Sequence, residues 1–446
     1  MSCVGHVESV CGHIVSSETR PATDLHQLID QRIEELADQV IEWRHHLHAH
    51  PELSNREVNT ARFIAEHLHS LGLDEVRTSI AGHGIVGVLH GGKPGDQVIA
   101  LRADIDALPV KELVDIDFAS TVVDDDYPGG PFPVAHACGH DCHTAMLMGA
   151  ADALVSVREH LAGTILFVFQ PAEEGPPLGE TGGAAAMDDA QALANPMPTM
   201  VFGMHVGPLP NGVVAYRIGN QYAASVIVRI VITGQQVHGS TPWMGKDPLP
   251  VAAEIISASA QIYRQVPAYN PVTISFGHIE DQGRFNIIGE TVTLLGTVRC
   301  SVESDMGDIC QRLQQLASHL AQAQGCVAET EFLQHVPAVH NEAKWVHAAI
   351  PTLESVVGSQ NLVQTAPTLG YDDVSVFVNR YGGLYVLLGV QDAEFKDGAI
   401  VPIPGGRGIS YNHNPHFYAN DDALQTGVRL HAHIAIDHLM GNLRTE

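Results

Sequence analysis

Residues 134–147 read Val-Ala-His-Ala-Cys-Gly-His-Asp-Cys-His-Thr-Ala-Met-Leu. Between positions 136 and 143 they gather His136, Cys138, His140, Asp141, Cys142 and His143. These are the imidazole, thiolate and carboxylate donors that hold borderline and soft divalent metals. In extended backbone Cys138 and His140, two apart, point the same way, so a shared metal is the functional expectation. A turn leading into a helix with ordinary surface histidines is the other reading, because 27 histidines make some clustering expected.

Further donors stand where apolar strands end. The strand expected at 163–169 runs into Gln170-Pro-Ala-Glu173-Glu174-Gly175. Two adjacent carboxylates after a buried strand are unfavourable unless a cation is near. A strand at 200–204 delivers His205, and a Gly/Pro-rich loop at 397–410 leads into Asn412-His413-Asn414-Pro415-His416-Phe417. The strand at 98–102 ends in Ala103-Asp104-Ile105-Asp106, at the carboxyl edge where open α/β sheets bind ligands. Asp104 is expected behind the ligands and Asp106 as a turn residue. His45, His46, His48 and His50 read as a helix end and loop beside the site rather than as ligands.

Cys138, His140, Glu174, His205 and His416 exceed the three protein ligands that one catalytic zinc takes with its water. They suit two divalent metals about 3.5–4 Å apart with one ligand shared. Such a pair polarises a carbonyl and acidifies a water. Glu173, beside Glu174 but pointing elsewhere, suits the base that takes the water's proton and passes it to a leaving nitrogen. The chemistry implied is amide hydrolysis.

The elements that must position these groups follow from periodicity. Helical spacing covers 24–48, 56–71 and 143–161, alternating with the strands above. From 222 the pattern changes to strand 223–233, helix 248–265, strands 270–279 and 291–300, helix 305–324 and strand 326–332. This βαββαβ order is a compact two-layer, ferredoxin-like unit. It reads as inserted, because the first kind of alternation resumes near 337. The expected division is a catalytic domain from 1–221 and 333–446 around a smaller domain at 222–332. Residues 1–23 read as a leader. Asp421 is expected to serve the N-terminus of the closing helix.

With 446 residues, 45% hydrophobic and 17% charged, the chain belongs among folded proteins. Its 51 Asp+Glu against 23 Lys+Arg give a net charge of −28, which argues against nucleic-acid and anionic-membrane partners. No apolar run reaches transmembrane length, and the first residues lack the basic start of a signal peptide. Seven cysteines at irregular spacing argue against a disulfide framework, so a cytoplasmic location is expected.

Taken together, the motifs resemble the di-metal aminoacylase and carboxypeptidase superfamily, and within it the branch of hippurate hydrolases, N-acyl-amino-acid amidohydrolases and indole-acetyl-amino-acid hydrolases. The resemblance rests on residues 44–53, Leu101-Arg-Ala-Asp104-Ile-Asp106-Ala-Leu-Pro109, His136-Ala-Cys138-Gly-His140-Asp141 and Gln170-Pro-Ala-Glu173-Glu174-Gly175. It continues through Gly203-Met-His205-Val206, Val237-His238-Gly239-Ser240 and His413-Asn-Pro-His416-Phe417. It implies a zinc-exopeptidase-like mixed sheet flanked by helices. It implies Cys138, His140, Glu174, His205 and His416 as ligands and Glu173 as general base and acid. It further implies that His238 meets the developing oxyanion and that Asn286 contacts the substrate carboxylate; a homodimer formed by the inserted domain is implied too, with His238 acting either in its own chain or across that dimer. Zinc suits the thiolate, with manganese, cobalt or nickel as other occupants in this branch. The implied substrate is an N-acyl amino acid or dipeptide. Gly370-Tyr371-Asp372-Asp373 departs from the Ser-Glu-Asp usual in relatives, and the 397–410 loop is longer. Two other readings are a non-catalytic binding protein stabilised by metal and a single structural zinc at 134–147, whose chelation would unfold the chain.

Overall fold

Alternate side chains of the central strands enter different cores. In the strand Ala162–Gln170, Ile165, Phe167 and Phe169 join one buried cluster while Leu166 and Val168 join another. A strand buried on both faces reads as a continuous apolar run, and it requires cover on each side. The computed structural model, which describes residues 21–443 and 445, provides that cover. The helices Pro21–Glu35, Ala37–Ala49, His140–Ser156 and Leu424–Leu439 pack on one face, and Gly183–Asp189 and Ser375–Tyr381 on the other.

The sheet has eight strands, in the order Glu75–Ile80, Gly84–His90, Ala162–Gln170, Lys93–Asp104, Met200–Pro210, Gly383–Gln391, Val214–Tyr216 and Leu362–Gln364. Lys93–Asp104 runs parallel to both of its neighbours, and Met200–Pro210 runs parallel to Gly383–Gln391. Glu75–Ile80 and Ala162–Gln170 pair antiparallel with Gly84–His90, and Gly383–Gln391 pairs antiparallel with Val214–Tyr216, whereas Leu362–Gln364 closes the other edge in parallel, so the sheet is mixed, as expected. The parallel strands send their carboxyl ends to one edge, which is where Asp104 and the 171–175 loop lie.

A second sheet holds Val272–Asp281, Thr291–Cys300, Ala224–Thr233 and Val327–Val336 in that order, all antiparallel. Val226, Val228, Ile230 and Ile232 alternate inward against the helices Pro248–Ser259 and Met306–Ala323, closing a core of their own. The intervening Ser225 and Ile227 face the opposite way, toward a cavity shared with the first sheet. This is the expected βαββαβ order, with its last strand running to Val336 rather than 332.

Some expectations are corrected. The helix expected at 24–48 is two helices that break at Leu36, and the first begins at Pro21. The rest of the expected leader, 1–20, lies outside the described residues. Asp421 does not cap the closing helix; Asn420 accepts from Asp422 N there, and the Asp421 carboxylate instead lies 2.8 Å from both Arg44 Nη1 and His45 Nε2. A buried guanidinium attracts a carboxylate more strongly than a helix terminus does.

Cys138 and His140 are not in extended backbone. Gly139 turns between them at φ +90°, and the helix begins at His140. Only glycine adopts that conformation without strain, and a Cβ there would overlap Val206 Cγ2. Replacing Gly139 by Ala is therefore expected to destabilise the fold by about 2–4 kcal/mol and to weaken metal retention together. Denaturant unfolding with metal analysis of the same samples checks this, and an unshifted midpoint would contradict it.

Candidate metal centre and active site

The donors converge at the carboxyl edge of the large sheet. Cys138 sits one residue ahead of the helix that carries His140 and His143 on one face, three apart. The strand Met200–Pro210 carries His205. Beyond Ala162–Gln170 the chain turns through Ala172, whose φ of +52° is strained for a residue with a side chain. Glu57 Oε1 holds that turn by accepting from Ala172 N at 2.8 Å, so Glu173 and Glu174 are presented inward.

Two groups of donors share the Cys138 thiol. Cys138, His140 and His205 bring one ligand atom each within 4.8 Å of one another, and so do Cys138, Glu174 and His413. Cys138 Sγ lies 3.3 Å from His205 Nε2. His140 Nε2 lies 3.8 Å from both Glu173 Oε2 and Glu174 Oε1. The expected fifth donor is corrected: His413 Nε2 is 3.2 Å from Glu174 Oε1, whereas His416 lines a separate small pocket with Asp115 and Arg407. His413 has a left-handed backbone, φ +66°, and its N donates to Ala137 O at 2.7 Å, which folds it back onto the metal loop.

Hydrogen bonds on the far ring atoms orient these imidazoles. His140 Nδ1 is 2.9 Å from Asp106 O and 3.1 Å from Asp106 Oδ1, so it donates there. His205 Nδ1 donates to the Val206 carbonyl at 2.6 Å. Each Nε2 is thereby left as a lone pair aimed at the cluster, the arrangement of metal-binding histidines. His140 Nε2 is buried without a hydrogen-bond partner. Buried polar atoms normally have partners, so the donor set fits divalent cations.

Asp104 lies behind the donors: its Oδ1 is 2.6 Å from His143 Nδ1 and 3.7 Å from His140 Nδ1. His143 Nε2 accepts from Val206 N, so its Nδ1 carries the proton and donates to Asp104. Asp106, expected only as a turn residue, also accepts from Glu174 N at 3.0 Å and from Ser54 Oγ at 2.7 Å, joining two donor loops. On the other side Asp141 Oδ2 accepts from Arg44 Nε at 2.9 Å and lies 2.8 Å from His48 Nδ1, while His48 Nε2 reaches Glu112 at 2.8 Å. Arg44 and His48 thus anchor the metal loop from behind. Among the described residues, none of the 45–50 histidines joins the donor groups.

The electrostatics separate the two glutamates. Burial raises Glu174, but the neighbouring His413 and His140 outweigh it and hold the carboxyl at about 2. Burial pushes Glu173 well above the carboxylate range, and Asp372, Glu174 and Asp373 push it further. Adjacent carboxyls driven apart in this way mark an ionised ligand and a proton carrier. Burial, then His143, lowers His205 to about 3, leaving it neutral as a ligand must be. Burial and the carboxylates Glu174 and Glu173 push the Cys138 thiol up, a penalty that a bound cation reverses.

A cavity of about 740 Å³ opens from Glu173, Glu174 and His413 toward the second sheet. Its walls are mainly apolar, with Arg299 of that sheet among them. His238 and Asn286 do not line it. They lie together at the tip of the second unit, where Val237–His238 pairs with Ile287–Ile288 and Gly239 N donates to Asn286 O at 2.9 Å. Phe285 beside them is 95% exposed. Sequence reasoning missed Arg299, Asp106 and His413. The strand-end Asp104-Ile-Asp106 spacing was a usable signal for the second.

Comparison with known proteins agrees with this geometry. The profile of Peptidase family M20/M25/M40 matches residues 100–437. Thermostable carboxypeptidase 2 of Saccharolobus solfataricus is 33% identical over 416 residues, covering 93% of this chain and 98% of that protein. IAA-amino acid hydrolase ILR1-like 2 of Arabidopsis thaliana is 30% identical over 411 residues, covering 91% and 86%. The crystal structure of the Bacillus subtilis YXEP protein, described as a dinuclear metal binding peptidase, superposes with a TM-score of 0.69 at 27% identity, covering 91% of this chain and 99% of that one.

His413 and His416 are separable by experiment. His413→Ala is expected to lose part of the bound metal and at least about 100-fold in activity, the upper end of what losing a group that only orients a ligand costs. His416→Ala should keep both, and elemental analysis with turnover assays on the two variants would contradict the assignment if their behaviour were reversed.

Proposed function

We propose, from the premise that this chain belongs to Peptidase family M20/M25/M40 and is a metal-dependent hydrolase of amides, that it cleaves the amide of an N-acyl amino acid or small peptide and releases a free amino acid. The observation that carries the substrate class is Arg299. It is a half-buried cation on the cavity wall that forms no ion pair among the described residues, in a chain of net charge −28. An unpaired guanidinium facing a substrate cavity suits a ligand carboxylate, which it can grip in bidentate fashion.

Cys138, His140, His205, Glu174 and His413 would hold two divalent cations, the two donor groups meeting at Cys138; zinc suits that thiolate best. Bound there, the cations would polarise the amide carbonyl and acidify a water. Glu173 takes the water's proton and hands it to the amine nitrogen as that bond breaks, a role suited to its raised pKa. Arg299 holds the amino acid's carboxylate, and the apolar wall receives the acyl group.

His238 and Asn286 complete the site from a second copy of the chain, His238 at the oxyanion and Asn286 at the carboxylate. Their placement at an exposed tip outside their own chain's cavity supports this homodimer, with 222–336 acting as the pairing unit. The described cysteines Cys138, Cys142, Cys300, Cys310 and Cys326 are free, which supports a cytoplasmic setting. Among the described residues no helix is long and apolar enough to cross a membrane.

Glu173→Gln is expected to lower kcat by about 10²–10⁴-fold while metal content stays at the wild-type level. Mixing Glu173→Gln with His238→Ala chains should regain part of the activity, because one site of the mixed dimer keeps both groups. Full turnover by Glu173→Gln would remove the base assignment, and no regain on mixing would remove the crossed dimer.

A further inference from the structure

The segment Gly370-Tyr371-Asp372-Asp373, singled out as unusual in the sequence, enters the reaction described above only through its aspartates, which help raise Glu173. Its two aspartates face inward, where they meet Arg102. Tyr371 does not. It lines the cavity beside Glu173, Glu174 and His413, and it makes two contacts that point in opposite directions. Its hydroxyl donates to the backbone carbonyl of Glu174 at 3.1 Å. Its ring lies under the Arg299 guanidinium, 5.0 Å from Cζ to the ring centroid.

From these contacts we infer that Tyr371 is a positioning residue that selects substrates with a carboxylate next to the scissile amide, by fixing Arg299 at a set distance from the ligand loop. The inference rests on the reading of Arg299 as the carboxylate partner. Arg299 reaches the cavity from the strand Thr291–Cys300 of the second sheet, whereas Glu174 lies in the loop after Ala162–Gln170 of the first. An arginine side chain is long and flexible, and its own backbone does not determine where the guanidinium rests. Here one hydrogen bond, Nη1 to Leu369 O at 3.1 Å, and the ring of Tyr371 hold it. Leu369 and Tyr371 lie on one short segment, itself pinned where the chain enters the second unit by Ala223 N donating to Gly370 O at 2.9 Å.

The choice of an aromatic partner matters chemically. A carboxylate in this place would neutralise Arg299 and compete with the substrate. A ring face steadies the guanidinium yet leaves its charge and its edge N–H groups free for a planar anion. The tyrosine hydroxyl then ties the stack to Glu174, one of the residues that mark where the amide must lie. In an α-amino acid derivative the carboxylate is a fixed, short distance from the amide nitrogen. The Glu174–Tyr371–Arg299 chain of contacts ties the guanidinium to the ligand loop through two contacts.

The test compares an N-acyl amino acid turned over by the wild type with the same compound carrying a C-terminal carboxamide, recording kcat and KM for each. Tyr371→Leu is expected to raise KM for the acid about tenfold, the scale of one desolvated cation–π contact, with kcat within about twofold and KM for the carboxamide unmoved. Tyr371→Phe, which keeps the ring, should restore most of the acid's KM. Arg299→Lys, which keeps the charge but loses the planar face, should reproduce the loss without touching Tyr371. A wild type that does not distinguish acid from carboxamide would overturn the carboxylate reading and this inference with it. A wild type that does distinguish them, with Tyr371→Leu or Arg299→Lys equally discriminating, would overturn this inference alone. Equal losses on both compounds would likewise make Tyr371 merely structural.

Discussion

Too much negative charge is buried at one place in this protein for its own cations to balance. Asp104, Asp106, Glu173, Asp372 and Asp373 are all buried around the Cys138 thiol, with Glu174 beside them. The Arg102 guanidinium, fully buried in turn, answers part of it: Asp104 lies at 2.7 Å and Asp372 and Asp373 at 3.2 Å. Unpaired charges in a low-dielectric interior either find a counter-ion or lose their charge. The thiol and Glu173 are pushed toward their protonated forms, while the buried lone pair of His140 Nε2 is left without a partner. The rest of the architecture serves to hold this arrangement until cations complete it.

The large sheet supplies rigidity where the donors need it. Parallel strands buried on both faces place Asp104, the 171–175 loop and His205 at one edge. The helix that begins at His140 is buried along nearly its whole length, with Ala145, Gly149, Ala150, Ala151 and Ala153 allowing close approach of its neighbours. Arg44 and His48, on the helix Ala37–Ala49, hold the front of that helix through Asp141, so the first donors rest on a clamp of their own. The second sheet turns one face to its helices and the other to the cavity. Strand alternation thus puts a core and a substrate wall on alternate residues of the same strands.

Much of this was legible from residue order. Donors at the ends of apolar strands, the paired glutamates and the βαββαβ insertion follow from periodicity and from the chemistry of side chains. What was not legible lies where local backbone geometry decides direction. Whether His413 or His416 faces the cluster depends on a left-handed turn at His413, which nothing in His-Asn-Pro-His announces. Asp106 has the composition of a turn residue, and only the fold shows it joining His140 to Glu174. Asp421 went to a buried arginine distant in sequence rather than to its adjacent helix. Arg299 lies on a strand of the second sheet and Tyr371 in a loop outside both sheets, so their stacking is visible only in three dimensions.

X-ray absorption on the metal-loaded protein tests the central claim most directly. A pair of cations sharing the Cys138 sulfur should show a metal–sulfur shell near 2.3 Å, as expected for zinc, and a metal–metal vector of about 3.5–4 Å. The sulfur shell should vanish in Cys138→Asp. A spectrum with nitrogen and oxygen neighbours only, or with no second metal, would contradict a buried charge cluster built around a shared thiolate.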